Sequence, residues 1–210
     1  MKQKIPCFCD KSFFVEFPEE PDLDAEPSFI DEMMDGSFMN FTCPACGKLH
    51  KPEFPITVLW PSKKLRLEVL PELDRGLFYR RQENPEDTET VIGFPEMIER
   101  IAIIRDGLEP LAVEVLKYFL LLKADESYPG REPVIRYDNS SAVGLEFHIS
   151  GIRQDEYGIS RIPMEVYEKT CTDYRTHPRA ELYRGLRVKT YLSVQNTIRP
   201  DLPGQFKTEN

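Results

Sequence analysis

Four of the five cysteines lie in two close pairs, Cys7 with Cys9 and Cys43 with Cys46. Thiolate sulfurs bind zinc strongly, and four of them complete a tetrahedral site. Two pairs joined by a returning stretch of chain suit a single site built from two tight turns. The sequence therefore predicts one structural metal site, with Zn²⁺ as its ion and Cys7, Cys9, Cys43 and Cys46 as its ligands.

The second pair has the neighbours that a metal-binding turn needs. Pro44 favours the turn, and Gly47 can take a positive φ that points backbone N–H groups at the sulfurs. The first pair has one intervening residue, and Asp10 stands where glycine would help, although Asp tolerates a positive φ better than most residues. Two alternatives therefore stay open for Cys7 and Cys9: buried thiols of a site that has lost its metal, or a redox dithiol.

The fifth cysteine and the histidines show no catalytic spacing. Cys171 falls on the apolar face of a predicted helix and is expected to be a small core residue. His50 is expected at the surface, with a substitute metal ligand as the alternative. His148 lies beside Glu146 on the polar face of a predicted strand, and these two side chains meet Asp138 only if the fold brings them together.

Composition limits the classes of function. The chain has 210 residues with ordinary apolar and charged fractions, so it can bury a real core. Its net charge is −9, and residues 16–35 hold nine acidic side chains and no Lys or Arg, which accounts for the whole charge. Such an acidic field repels phosphate backbones, so we expect a solvated loop here and no nucleic-acid partner.

No apolar stretch approaches the roughly 18 residues of a membrane span, and the N-terminus lacks the apolar core of a signal peptide. We therefore expect no membrane association and a cytoplasmic location. Cysteine pairs at close spacing in a reducing compartment are typical of metal ligands rather than disulfides.

Hydropathy periods predict an α+β fold. The first half is predicted to contain strands at 12–17, 54–59 and 65–69, a short helix at 28–34, an exposed loop at 82–90, a helix opened by Pro95 and a core-facing helix over 108–122. Asp106 is predicted to cap that last helix, together with Glu109. The second half is predicted to contain strands at 143–150 and 186–194 and a helix opened by Pro163.

The predicted organisation is a zinc-ribbon-like β unit with a two-helix segment, followed by a smaller α/β unit. Pro129, Gly130 and Pro133 mark the change between them. We place the first domain at residues 1–126, the C-terminal unit at 130–200 and a flexible tail at 201–210.

Several motifs in order resemble the CpXC protein family over residues 3–124. They are Ile5-Pro6-Cys7-Phe8-Cys9, Phe41-Thr42-Cys43-Pro44-Ala45-Cys46-Gly47, and Arg105-Asp106-Gly107-Leu108 opening a helix. The family is named for its two cysteine motifs and is functionally uncharacterised. The resemblance implies a metal-ribbon-like fold and no particular reaction. The sequence departs from the family at the first motif, where the cysteine spacing is one residue shorter.

Three functions follow as hypotheses. The first is a zinc-stabilised protein-interaction or regulatory module with an unknown protein partner. The second is a nucleic-acid-associated zinc-ribbon protein, using C-terminal arginines with Tyr183 and Tyr191 as stacking rings. The third is a cysteine-based redox protein. The motifs of phosphate loops, nucleophile elbows and zinc hydrolases do not occur, so an enzyme is not expected.

Overall fold

The computed structural model describes residues 1–80 and 88–198. The fold is mixed α+β and falls into two compact units, Met1–Ile98 and Glu99–Asn210. The domain limits given above follow the cysteine motifs and the proline-rich stretch rather than this division, and they stay a prediction. The predicted tail at 201–210 and most of the predicted loop at 82–90 lie outside the described residues.

The first unit is rich in short strands. Its elements are β1 (Lys2–Pro6), β2 (Ser12–Glu16), α1 (Ser28–Asp35), β3 (Phe41–Thr42), β4 (Leu49–His50), β5 (Ile56–Trp60), β6 (Leu65–Leu70), α2 (Arg75–Arg80) and β7 (Glu89–Ile92). Strand pairs β1–β2, β3–β4 and β5–β6 are antiparallel, and β6–β7 is parallel. The predicted helix at 28–34 and strands at 12–17 and 65–69 are confirmed within one residue at each end.

The acidic stretch 16–35 is more ordered than a solvated loop. It contains α1, and its Leu23 and Met33 are buried. Asp24 accepts hydrogen bonds of 2.7 Å from both the backbone N–H and the hydroxyl of Ser62. These bonds lower the pKa of Asp24. The apolar side chains between the acids explain why this segment folds although its charge suggested otherwise.

The second unit packs helices on a three-stranded antiparallel sheet. Helix α3 (Phe94–Arg105) begins in the first unit and ends in the second. The elements after it are α4 (Pro110–Ser127), β8 (Val134–Ser141), β9 (Gly144–Arg153), β10 (Glu156–Pro163), α5 (Met164–Thr176), α6 (Glu181–Gly185), β11 (Arg187–Val188) and β12 (Tyr191–Leu192). The sheet order is β10–β9–β8, and α4 lies against β8 and α5. Among the helices of the described residues, none has the length and apolar character that a membrane crossing requires.

Two buried carboxylates and one lysine tie this unit together. The Lys117 ammonium donates to Glu99 and to Glu114 at 2.9 Å each, and all three side chains are buried. Glu99 also accepts from the Tyr137 backbone N–H, and Glu114 from that of Val194. The cluster therefore joins α3, α4, β8 and the C-terminal segment, and every charge in it has a partner.

Three sequence predictions in this unit were wrong. Asp106 does not cap α4, which begins at Pro110, because Gly107 takes a φ of 72° and turns the chain; Asp106 accepts from the Tyr137 hydroxyl instead. Phe119 and Leu122, which were predicted on the core-facing side of the helix over 108–122, are 54% and 42% exposed. The predicted strand 186–194 is a tight hairpin of β11 and β12, since Lys189 has a φ of 55°.

Candidate metal centre

Two tight turns bring the four predicted ligands together. In the first turn, the Cys7 N–H donates to the Lys11 carbonyl at 2.7 Å, and the Asp10 N–H donates to the Cys7 carbonyl at 3.1 Å. The second turn follows the same plan with Cys43, Gly47 and Lys48, at 2.9 Å for both bonds. Asp10 and Gly47 take φ values of 62° and 72°, so the predicted positive φ at Gly47 and the tolerance at Asp10 are both confirmed.

The strands on either side hold these turns in place. The Cys7 turn joins β1 to β2, which pair from Lys2 with Glu16 to Pro6 with Ser12. The Cys43 turn joins β3 to β4, where Phe41 pairs with His50. A turn at the end of a paired ribbon has few conformations, so the two ribbons limit where the cysteine side chains can point.

The sulfur positions match those of a four-coordinate metal. Sγ of Cys7 lies 3.5 Å from Sγ of Cys46, and Sγ of Cys9 lies 3.9 Å from Sγ of Cys43. All four sulfurs lie within 4.8 Å of one another. With Zn–S bonds of about 2.3 Å and tetrahedral angles, neighbouring sulfurs are expected about 3.8 Å apart. The short spacing of Cys7 and Cys9 therefore does not prevent the four thiols from converging.

The pKa values of Cys7 and Cys43 shift in opposite directions, although backbone N–H groups lower both and burial raises both. The Cys9 N–H lowers the pKa of Cys7, but burial and the neighbouring thiols outweigh it and raise this pKa to about 12. Burial raises the pKa of Cys43, but the N–H groups of Ala45 and Cys46 outweigh it and lower this pKa to about 7. A cation that replaces the protons suits such a cluster, since thiolates that face one another need positive charge between them.

His50 lies beside the four cysteines, whereas the sequence analysis expected it at the surface and gave a substitute metal ligand as the alternative. It is half-buried, and its Nε2 lies 3.1 Å from Sγ of Cys7. Its ring stacks on Phe8 with centroids 5.8 Å apart and meets Phe13 edge-on at 5.6 Å. A histidine close to a metal-binding sulfur can orient it by a hydrogen bond. The spacing of His50 just after Cys46 was the only signal in the sequence.

The remaining candidates belong to the second unit. Cys171, expected in the core, is half-buried on α5. Asp138, Glu146 and His148 do meet on the sheet of the second unit: the two imidazole nitrogens lie 3.6 Å from Asp138 and 3.8 Å from Glu146. Glu146 is also paired with Arg161 at 2.7 Å, so this partly exposed group forms an ion-pair network on the sheet face.

Comparison with known proteins supplies a family and no function. An uncharacterised protein of Treponema pallidum (strain Nichols) is 30% identical over 218 aligned residues, which cover 93% of this chain and 98% of the relative. No solved structure matches this chain. The CpXC protein model matches residues 5–117, which include all four clustered cysteines. Since that match spans more than half of the chain, this protein belongs to the CpXC family.

Proposed function

We propose that this protein is a protein-interaction or regulatory module whose zinc-ribbon-like N-terminal part is held closed by a structural Zn²⁺ at Cys7, Cys9, Cys43 and Cys46. The convergence of four thiols within 4.8 Å is the observation that supports it. Four protein ligands fill a tetrahedral site and leave no open position for a substrate. The ion's contribution is then folding energy, because it binds the folded ribbon and not the unfolded chain.

The surface beside the site supports an interaction role. Phe8 stands between two of the ligands and is 85% exposed, although a large aromatic ring normally seeks burial. One contact holds it to His50, and the Lys48 ammonium lies 5.9 Å from its ring centroid. With metal on both flanking cysteines, Phe8 would be a rigid anchor that loses little entropy on binding a partner. Such a partner would be a protein.

The two alternative functions have unequal support. For nucleic acid, Tyr191 is fully buried and offers no stacking face, so the C-terminal version of that hypothesis loses its main ring. For redox chemistry, the pKa of about 7 at Cys43 supports a reactive thiolate. Zinc would blunt that reactivity, so faster alkylation of Cys43 after chelation supports the structural role. A cytoplasmic location completes the proposal, since four free thiols suit a reducing compartment.

Metal analysis of the protein purified under reducing conditions tests the proposal. We expect one zinc per chain in the native protein and in Cys171→Ser, and a loss of tight zinc in Cys43→Ser. Cys171→Ser is the matched control because it removes the one cysteine of the sequence that is not part of the cluster. Zinc that is absent from the native protein and does not bind on addition would contradict the proposal. A gel-shift with short single strands at low salt tests the nucleic-acid alternative.

A further inference from the structure

The outer edge of the sheet in the second unit has no hydrogen-bonded strand beside it. Strand β10 is eight residues long and pairs with β9 alone in the order β10–β9–β8, as far as the described residues extend. Its outward backbone N–H and C=O groups therefore form an open row. Such a row is a ready template for another strand.

Strand β10 lacks several features that protect natural sheet edges. Tyr157 and Ile159 are 66% and 52% exposed, and the strand contains no lysine. Its proline, Pro163, stands at the last position. Its two charges are exposed but paired within the sheet, Arg161 with Glu146 at 2.7 Å and Glu156 with Arg153 at 3.3 Å. Natural edges are often protected by lysines, an internal proline or a very short strand, and β10 has none of these three.

We propose that β10 pairs antiparallel with β10 of a second copy of this chain, so that two three-stranded sheets become one six-stranded sheet. A two-fold axis perpendicular to the sheet keeps each side chain on its own face of the sheet. Residues that lie opposite each other must therefore belong to the same face, so one residue of the strand lies opposite its own counterpart at the axis. Placing the axis at Ile159 sets that residue opposite its own counterpart.

This register is complementary on the open face. There, Tyr157 of each copy lies opposite Arg161 of the other, which allows a cation–π contact. Arg161 would then lie between Glu146 of its own sheet and the tyrosine ring of the second copy. On the other face, Gly158 lies opposite Ser160 and Glu156 lies opposite Ile162, and neither pair brings like charges together. Pro163 falls opposite the turn at Asp155, where its missing N–H is not needed.

The strand is also regular where the pairing is centred. The register shift of β10 against β9 lies between Glu156 and Gly158, and from Gly158 to Pro163 each residue has one partner in β9. An eight-residue edge buries less surface than a standard stable interface. The dimer is therefore weak and depends on concentration. It does not involve the cysteine site, so it is independent of the proposed function.

Sedimentation of the full chain, from low micromolar to submillimolar concentration, tests the proposal. We expect the mass to rise from one chain towards two. Ile159→Lys places two ammonium groups opposite each other at the axis and should abolish the rise. Val143→Lys is the matched control, since Val143 is also an exposed apolar residue of this sheet but lies in the turn between β8 and β9. It should associate like the native protein.

Amide exchange locates the contact. Backbone amides of β10 should gain protection as concentration rises, while those of β8, at the opposite edge of the sheet, should not. A protein that stays monomeric at submillimolar concentration overturns the proposal, and so does a dimer that persists in Ile159→Lys. Circular dichroism of both variants shows whether a loss of association reflects unfolding. If Ile159→Lys does not fold, a second variant, Tyr157→Glu, tests the register. It turns the contact with Arg161 of the second copy into a charge pair, so it should strengthen association. An association equal to that of the native protein would overturn the register.

Discussion

Asp10 is the residue on which the first turn of the candidate metal site depends. It takes a φ of 62° between Cys9 and Lys11, a conformation that most side chains adopt only at a cost. Gly47 adopts the same conformation in the second turn without a Cβ. Asp at this place therefore replaces the glycine of the second turn, at a modest energetic cost.

A β-branched residue at position 10 should weaken the site. We expect Asp10→Val to lower the stability of the first unit by about 1–2 kcal/mol and to lower zinc affinity, because a positive φ is least favourable for such residues. Asp10→Gly should retain both. Chelator competition measures the affinity. Asp155→Val is the control, since Asp155 has a φ of 56° in the second unit; it should lower stability and leave zinc affinity unchanged.

His50 gives a second prediction at the scale of one residue. If its imidazole orients the Cys7 thiolate, His50→Ala should lower zinc affinity by about 10–100-fold, as is typical when a neighbour of a ligand is removed. His177→Ala, which removes an imidazole bonded to Thr176 in the other unit, should have no effect. An unchanged affinity in His50→Ala would show that the 3.1 Å contact with Cys7 is incidental.

At the scale of elements, the buried Glu99–Lys117–Glu114 cluster decides how α4 is rotated. Periodicity predicted Phe119 and Leu122 as core residues, yet both are exposed while Glu114 and Lys117 face inward. A sequence pattern counts charged residues as outward-facing, so it could not predict a helix whose charges are buried in pairs. The alternating apolar residues of β9 were predicted correctly at Leu145 and Phe147, which are buried, whereas Val143 lies before the strand and is 82% exposed.

Removal of the lysine should leave two buried carboxylates without the ammonium that they share, although Arg136 still lies 3.8 Å from Glu99. We expect Lys117→Met to destabilise the second unit by about 3–5 kcal/mol in urea unfolding. Lys123→Met is the control on the same helix, since Lys123 is exposed, and it should change stability little. An equal effect of the two substitutions would show that the ammonium does not hold the cluster together.

The pKa of Lys117 predicts how the stability contributed by this cluster changes at alkaline pH. Burial lowers the pKa of Lys117, but Glu114 and Glu99 outweigh it, and the pKa is raised. A raised folded-state pKa means that this stabilisation is fully present below the usual lysine value of about 10.4 and is lost as pH rises through the folded value. Native protein should therefore lose stability at strongly alkaline pH more steeply than Lys117→Met. Urea midpoints from neutral to alkaline pH check this.

At the scale of the whole molecule, the two units should respond differently to loss of metal. A chelator under reducing conditions should speed amide exchange in β1 to β4 and leave β8 to β10 protected, because the four clustered thiols all belong to the first unit. Trp60, the single tryptophan, lies buried in β5 and offers a fluorescence signal for the first unit. Uniform exchange after chelation would indicate that the two units unfold together.

The parts of the protein that the sequence predicted correctly share a local cause. Cysteine spacing, glycine at a turn and apolar alternation over one strand each act within a few residues, and the convergence of the four cysteines and several elements followed from them. Strands β8 and β10 were missed because their apolar faces are interrupted by polar residues such as Asp138 and Arg161, whose ion pairs form across the sheet. Neither those pairs nor the place of His50 beside Cys7 can be read from one segment alone.

The separation of the two cysteine turns along the chain has a consequence for biosynthesis. Cys9 and Cys43, whose sulfurs face each other, are 34 residues apart. At typical rates of synthesis, the second turn follows the first by about two to seven seconds. During that interval the newborn chain carries only two of the four clustered cysteines, Cys7 and Cys9. The proposed zinc site would thus be complete, and the ribbon could close around the ion, only once residue 46 has left the ribosome.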